Sequence, residues 1–463
     1  MILAVFLPWR PRISGLAAAL AVMAALSPAA HAQTLNEALA TAYASNPTLG
    51  AARAELRAVN ERVPQALSNW RPSVSLSGSA GKQRIESETS SSKIEQTTTP
   101  VVGTLSVVQP IYRGGRTLAG TQRAEHEVRA QRATLASVEQ SVLLRAATAY
   151  MDVWRNQAVL KLNINNEKVL ERQLQASKDR FTVGEVTRTD VAQSETRLAV
   201  ATAGRIAAEG DLTASGAVYE EVVGVLPGAL PAPAPVEGLP SSVEEVTALA
   251  VVQNPEILVA TFSERAAERQ VREVIGELLP TVQLTGTLRH SEESSQRNAE
   301  SDQAQILAEV SVPLYQQGAV YSRIREAKQI SSQRRIQIVE TRRRIAQAAT
   351  SAWEGLQTAR AQIQSFESGV RSAEIALEGV EQENAVGART ILDILDAEQE
   401  LLDSQVNLVR SQRDEIVAGF ETLTAIGRLT GRDLALAVEL YDPEIDYLKV
   451  RDKWIGLGAP GAQ

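Results

Sequence analysis

Four short stretches alternate apolar and small polar residues at every second position. In 73–80, Val74, Leu76 and Ala80 share one face, and Ser73, Ser75, Ser77 and Ser79 share the other. In 101–108, Val101, Leu105 and Val107 oppose Thr104 and Ser106. In 281–289, Val282, Leu284 and Leu288 oppose Thr281, Gln283, Thr285, Thr287 and Arg289. In 303–312, Ile306, Ala308, Val310 and Val312 oppose Gln305, Glu309 and Ser311. A period of two predicts strands, here near 72–84, 100–110, 280–290 and 303–313. About ten residues is also the length at which a tilted strand crosses a bilayer. The connecting segments 85–98 and 291–302 are rich in Ser, Glu and Thr and read as outer loops.

Elsewhere the pattern is helical. The stretches 116–181 and 320–384 lack proline and are rich in Ala, Gln, Glu and Arg, which favour helix. A helix of that length spans on the order of 100 Å, too long for a globule. Apolar residues recur at sevens, at Val128, Leu135, Val142 and Ala149, and again at Ile338, Ile345 and Ala352. That spacing predicts coiled-coil seams. Further helices are predicted at 35–67, 188–226, 243–278 and 390–430.

The chain repeats itself. Asn46-Pro47 returns as Asn254-Pro255, Pro72 as Pro280, and Ser77-Gly78 as Thr285-Gly286. Pro110-Ile111-Tyr112 returns as Pro313-Leu314-Tyr315, Val183-Gly184 as Val386-Gly387, Asp190 as Asp393, and Gly224 as Gly427. These matches predict two copies of one unit, 33–226 and 242–430. A linker at 227–241 carries Pro227, Pro231, Pro233, Pro235 and Pro240, and a tail follows at 431–463. Each unit reads helix, strand, strand, long helix, turn, helix.

Composition narrows the function. Residues 1–32 read as a secretory signal: Arg10 and Arg12 precede a short apolar run, and Ala30-His31-Ala32 fits the small-residue rule for cleavage between Ala32 and Gln33. The chain has no cysteine, which excludes disulfides, thiol catalysis and a lipid anchor on cysteine. Three histidines, one of them in the signal, leave little for a metal site; no metal and no cofactor are expected. The net charge of −8 argues against nucleic acid as a partner. No catalytic motif is found. Gly78-Ser-Ala-Gly81-Lys82-Gln fails the phosphate-loop spacing, and there is no nucleophile elbow or paired-histidine motif, so the chain is not expected to be an enzyme.

Four strands cannot close a barrel, and open edges are forbidden in lipid. The strands therefore pair between copies of the chain or do not cross a membrane. A soluble periplasmic coiled-coil scaffold is the alternative; it accounts for the helices but not for the four alternating segments. Trp70, Tyr112 and Tyr315 lie near strand ends, where a membrane interface would fall.

The two-copy plan, the Asn-Pro in each opening helix and the paired tips resemble the TolC family of outer-membrane efflux proteins. Those tips are Arg180-Phe-Thr-Val-Gly-Glu-Val-Thr-Arg-Thr-Asp190 and Asn384-Ala-Val-Gly-Ala-Arg-Thr-Ile-Leu-Asp393-Ile-Leu-Asp396. The tail Tyr441-Asp-Pro443, Tyr447 and Trp454 is similar to that of many members. The resemblance implies a mostly α chain with transmembrane β-strands. Three copies close a 12-stranded outer-membrane β-barrel, four strands per protomer, continued by a long α-helical barrel of coiled-coil hairpins across the periplasm.

It also implies a periplasmic adaptor and an inner-membrane ABC or proton-driven transporter as partners, and outer-membrane lipid around the barrel. The function it implies is the exit duct of a tripartite export system. Type I protein secretion is the first reading and small-molecule efflux the second.

At the residue level, Val183, Gly184, Val386 and Gly387 mark chain reversals. Glycine suits the end of each long helix, and Thr187 or Thr189 caps the next helix in the first unit, Thr390 in the second. The resemblance implies that these tips face the adaptor. Asp393 and Asp396, three apart on one helix face, would form two acidic rings at the periplasmic entrance. Crowding there raises carboxylate pKa values. Arg389 matches a family arginine that closes the entrance by bonding at the positions of Thr189 and Asp190. A family tyrosine of the same network is replaced by Asn384.

Overall fold

The computed structural model describes residues 33–89, 92–294 and 296–458. The signal segment, including Ala32 of the expected cleavage site, lies outside them.

The opening helix of each unit is broken rather than continuous. In the first unit α1 (Leu35–Ser45), α2 (Pro47–Asn60) and α3 (Arg62–Ser68) follow one another. Asn46 ends α1 and caps α2: its Oδ1 accepts from the N–H of Thr48 at 2.9 Å, with Pro47 in the first turn. Its Nδ2 donates to the Val222 carbonyl at 2.8 Å, near the end of the unit's last helix. Asn254 does the same in the second unit, accepting from Glu256 N–H at 2.9 Å and donating to the Ala425 carbonyl at 3.0 Å. One Asn-Pro pair thus stops a helix, starts the next and ties the unit's two ends together.

The first unit continues through β1 (Ser73–Ala80), β2 (Gln83–Thr89), β3 (Ser92–Thr98), β4 (Val101–Arg113), α4 (Arg116–Thr182) and α5 (Arg188–Val223). After the proline-rich linker come α6 (Val243–Gln253), α7 (Pro255–Ile275), β5 (Thr281–Glu292), β6 (Glu300–Ser311), α8 (Ala319–Ala385) and α9 (Ile391–Ala425). A short α10 (Pro443–Arg451) lies in the tail. Val243–Leu278 has the length and apolar composition of a membrane span. It is broken at Asn254, and Val246, Ala250 and Ile257 pack in the core.

Four strands form one antiparallel sheet in the order β1-β4-β5-β6. Each unit contributes a pair, and β4 with β5 joins the units. The register aligns the predicted faces. Val74 stands opposite Val107, Leu76 opposite Leu105, and Leu105 opposite Leu288. Leu284 stands opposite Ala308, and Val282 opposite Val310. Val74, Leu76, Ile306 and Val310 are each more than 60 % exposed, so this apolar face is uncovered by the chain itself.

The segment 85–98, expected to be a loop, is instead the antiparallel hairpin β2–β3. Its strands carry charge rather than an apolar face, and Arg84 pairs with Glu95 across it. In the second unit β5 and β6 run further into 291–302 than expected, ending at Glu292 and starting at Glu300, and Glu293 and Asn298 between them adopt positive φ.

α4 and α8 have 67 residues each, about 100 Å. Val128, Leu135, Val142 and Ala149 are all buried along α4. The α8 seam departs from the expected one. Ile345 is buried, but the buried line continues through Ala349, Trp353, Leu356 and Ala359, with Ile338 and Ala352 only half-buried. The buried line thus passes through Trp353 rather than Ala352. The main core lies where α1, α2, α4, α5, α6, α8 and α9 meet, around fully buried Leu39, Leu143, Tyr150, Tyr219 and Leu356. There the Tyr150 hydroxyl donates to the Pro231 carbonyl at 2.9 Å, fastening the linker.

At the junction of strand and long helix, Gly114 has φ 63° and abuts Gly276 at the end of α7. A Cβ on Gly114 would lie 2.2 Å from the Gly276 carbonyl oxygen, so the two glycines set the closeness of this joint.

Candidate functional site

Two regions carry functional character: the two-faced sheet and the helical tips at the opposite end. Each tip begins with a glycine in the left-handed region. Gly184 has φ 85° and its N–H donates to the Phe181 carbonyl at 3.0 Å, while Glu185 N–H donates to the Arg180 carbonyl at 3.0 Å. Gly387, φ 78°, repeats this with the Asn384 carbonyl at 2.9 Å, and Ala388 with the Glu383 carbonyl at 2.9 Å. These bonds satisfy the last carbonyls of the long helices.

The next helix then opens with a capping box. Thr187, not Thr189, caps α5: its hydroxyl accepts from Asp190 N–H at 3.3 Å, and the Asp190 carboxylate accepts from Thr187 N–H at 2.8 Å. Thr390 and Asp393 repeat the box at 3.3 and 2.8 Å. Val183 and Val386 stand out at 71 % and 81 % exposure. Ile391 and Leu395 bury against Leu170 and Ala201, joining the two hairpins of the chain near their ends.

The closure residues are placed differently from expectation within the chain. Arg389 does not bond Thr189 or Asp190. Its Nε donates to Glu383 at 2.8 Å, and its Nη1 lies 3.9 Å from Asp393. Thr189 is exposed, and the Asp190 carboxylate is engaged in its cap. Asn384 is a link rather than a gap: it accepts from Arg180 Nη1 of the other hairpin at 3.2 Å and donates to the Arg389 carbonyl at 2.9 Å. Asp396 pairs with Arg197, again across the hairpins.

Asp393 and Asp396 therefore differ in role. Within the chain, the Thr390 hydroxyl and backbone N–H, aided by Arg389, hold the Asp393 carboxyl below its ordinary value. Arg180, Arg197 and Glu383 escaped the sequence reading. Arg180 and Glu383 each precede a Val-Gly by three residues, so they are repeat equivalents of opposite charge.

The outer membrane efflux protein family model matches residues 38–219 and 246–426, once for each unit. The chain belongs to this family. Members are outer-membrane channels of Gram-negative bacteria, not enzymes. The chain is 35 % identical to the outer membrane efflux protein BepC of Brucella suis, over 93 % of each chain. It is 24 % identical to TolC of Escherichia coli, over 89 % of this chain and 86 % of TolC. With the alkaline protease secretion protein AprF of Pseudomonas aeruginosa it shares 24 % over 72 % and 71 %. The solved CmeC outer membrane channel of Campylobacter jejuni superposes with a TM-score of 0.77 at 15 % identity, over 90 % of this chain and 89 % of CmeC.

Proposed function

We propose that three copies of the chain form the exit duct of a tripartite export system. The observation that carries this reading is the sheet. It has one continuous apolar face, one polar face, and two unpaired edges at β1 and β6, above helices about 100 Å long. A second copy pairing β6 to β1 satisfies both edges, and three sheets of four strands make twelve, within the range of known barrels. The apolar face then meets outer-membrane lipid, and the Ser, Thr and Gln face lines water. Trp70, Tyr112 and Tyr315, all exposed near strand ends, suit the interface level. The helical hairpins reach into the periplasm, where an adaptor and an inner-membrane transporter meet the exposed tips.

The chain lacks cysteine, so introduced pairs report cleanly. One cysteine in β1 combined with one in β6 of the same chain, the pair scanned along both strands, is expected to give disulfide-linked trimers in the outer-membrane fraction. Cross-linking absent for every pair would overturn the barrel.

For the cargo, the 35 % relative carries an efflux name, and a relative at 24 % carries a protease-secretion name. That order favours small-molecule efflux over the expected protein secretion. Deleting the gene separates them: raised drug sensitivity with an unchanged secretome supports efflux, and loss of a secreted protein supports secretion.

A further inference from the structure

A cavity of about 480 Å³ lies at the joint between sheet and helices, and its wall is rich in arginine. Arg62, Arg113, Arg116 and Arg123 line it, together with Glu127, Glu273 and Glu277. The acids are already engaged. Glu127 holds Arg62 at 3.0 Å and Arg123 at 2.9 Å, Glu273 holds Arg123 at 2.9 Å, and Glu277 pairs with Arg323. Arg113 bonds only the neutral Asn69, and Arg116 only the Arg113 carbonyl. Two guanidinium groups thus have no carboxylate among the described residues.

They sit at the start of α4, where the first N–H groups have no partner within the helix and the macrodipole is positive. No side chain caps this end, and its first turn contains no acid. Two unpaired cations at the positive end of a 67-residue helix are an arrangement that an anion relieves. A separate feature points the same way. Thr117, 4 % exposed, lines the cavity, and its hydroxyl has no hydrogen-bond partner. A buried orphan hydroxyl is costly unless something fills the space before it.

We propose that this cavity binds an oxyanion of the phosphate class, held by Arg113, Arg116, the Thr117 hydroxyl and the first N–H groups of α4. The guanidinium fork fits two oxygens of such a group, and the helix end fits a third. Arg113 stands opposite Thr281 in the register, on the face of Thr285 and Thr287. The anion chemistry rests on the cavity alone; its placement inside the duct rests on the barrel reading. There it favours a soluble phosphate or phosphate ester over a lipid headgroup.

The test is calorimetric titration of inorganic phosphate into the purified, detergent-solubilised mature protein. One site per chain is expected. Arg113→Gln with Arg116→Gln should weaken binding by at least about tenfold, as the loss of a charge-assisted bond implies. Thr117→Val, nearly isosteric, and Arg116→Lys, which keeps the charge but not the fork, should each weaken it less while leaving the assembly intact. They serve if the double variant does not assemble. Binding unchanged in these variants, or no phosphate bound and no phospholipid retained in native mass spectra, overturns the inference. A phospholipid retained by wild type and lost from the double variant, with phosphate silent, supports the phosphate chemistry but overturns the soluble source. In planar bilayers phosphate, compared with chloride at equal ionic strength, should lower the conductance of wild type more than that of the double variant. Binding without that effect overturns the placement in the duct.

Discussion

Single residues hold the repeated ends of each unit together, and Asn46 is the clearest. It is 7 % exposed, caps α2 and occupies the Val222 carbonyl. Asn46→Ala removes a cap and leaves a buried carbonyl unpaired, for a loss of about 2 kcal/mol. A lower denaturation midpoint for the mature protein checks this, and Asn254→Ala should match it.

At the tips, the pairs Arg197 with Asp396 and Arg180 with Asn384 hold the two hairpins of one chain side by side. Arg197→Ala should loosen them and raise single-channel conductance. Unchanged conductance would mean that Arg197 is a surface charge. Arg389 tests for a contact between copies. If it also reaches Thr189 or Asp190 of a neighbouring copy, Arg389→Ala should raise conductance beyond the effect of Glu383→Gln, which removes only the partner seen within the chain.

The strands were legible in the sequence because a half-buried strand must alternate, and four of them do. Their ends were less so, since β5 and β6 continue past the last apolar residue through backbone pairing and polar contacts such as His290 with Asp302. The hairpin β2–β3 left no such trace: its strands have no core to face, and cross-strand charge pairs such as Arg84 with Glu95 replace the apolar period. The tip turns were readable from Val-Gly followed by Thr and Asp. Arg180, Arg197 and Glu383 were not, because a contact between helices depends on how the hairpins lie against each other rather than on spacing along one of them. The split of each opening helix was signalled by Asn-Pro, which supplies a cap and a first-turn proline together.

The two faces of the sheet make the element-scale prediction. Leu284→Arg and Val310→Arg place a charge on the apolar face and should each cost about 2–4 kcal/mol at mid-membrane depth. Thr285→Arg and Ser311→Arg should be tolerated. Yields of detergent-extracted trimer compare the two sets directly, and equal yields would remove the lipid-facing assignment. The glycine joint is as specific: Gly114→Ala should lower assembly, because its Cβ meets the Gly276 backbone.

Across the whole molecule, charge is distributed unevenly. Asp393 and Asp396 lie at the tip end and the unpaired Arg113 and Arg116 at the sheet end, the length of the long helices apart. In a trimer the tip carboxylates would act as a cation filter. The Thr390 cap keeps Asp393 ionised to lower pH than an ordinary aspartate. Its folded pKa is depressed, so the cap contributes fully above the unfolded value, and that contribution is lost as pH falls through the folded one. Cation selectivity should therefore persist into mildly acidic solution. Asp393→Asn with Asp396→Asn should abolish it while leaving the trimer intact. Selectivity retained by that double variant would remove these aspartates from the entrance.

The two units are alike at one end of the chain and unlike at the other. Both tips share the same glycine turn and capping box, whereas among the described residues only the first unit carries an extra hairpin, β2–β3. A trimer would consequently be close to six-fold at its periplasmic end and strictly three-fold at its outer rim. Around the tips, furrows carrying Arg389 would alternate with furrows where Val186 stands in the equivalent place. A partner present in three copies can read one kind of furrow and ignore the other, and a partner in six copies must tolerate both.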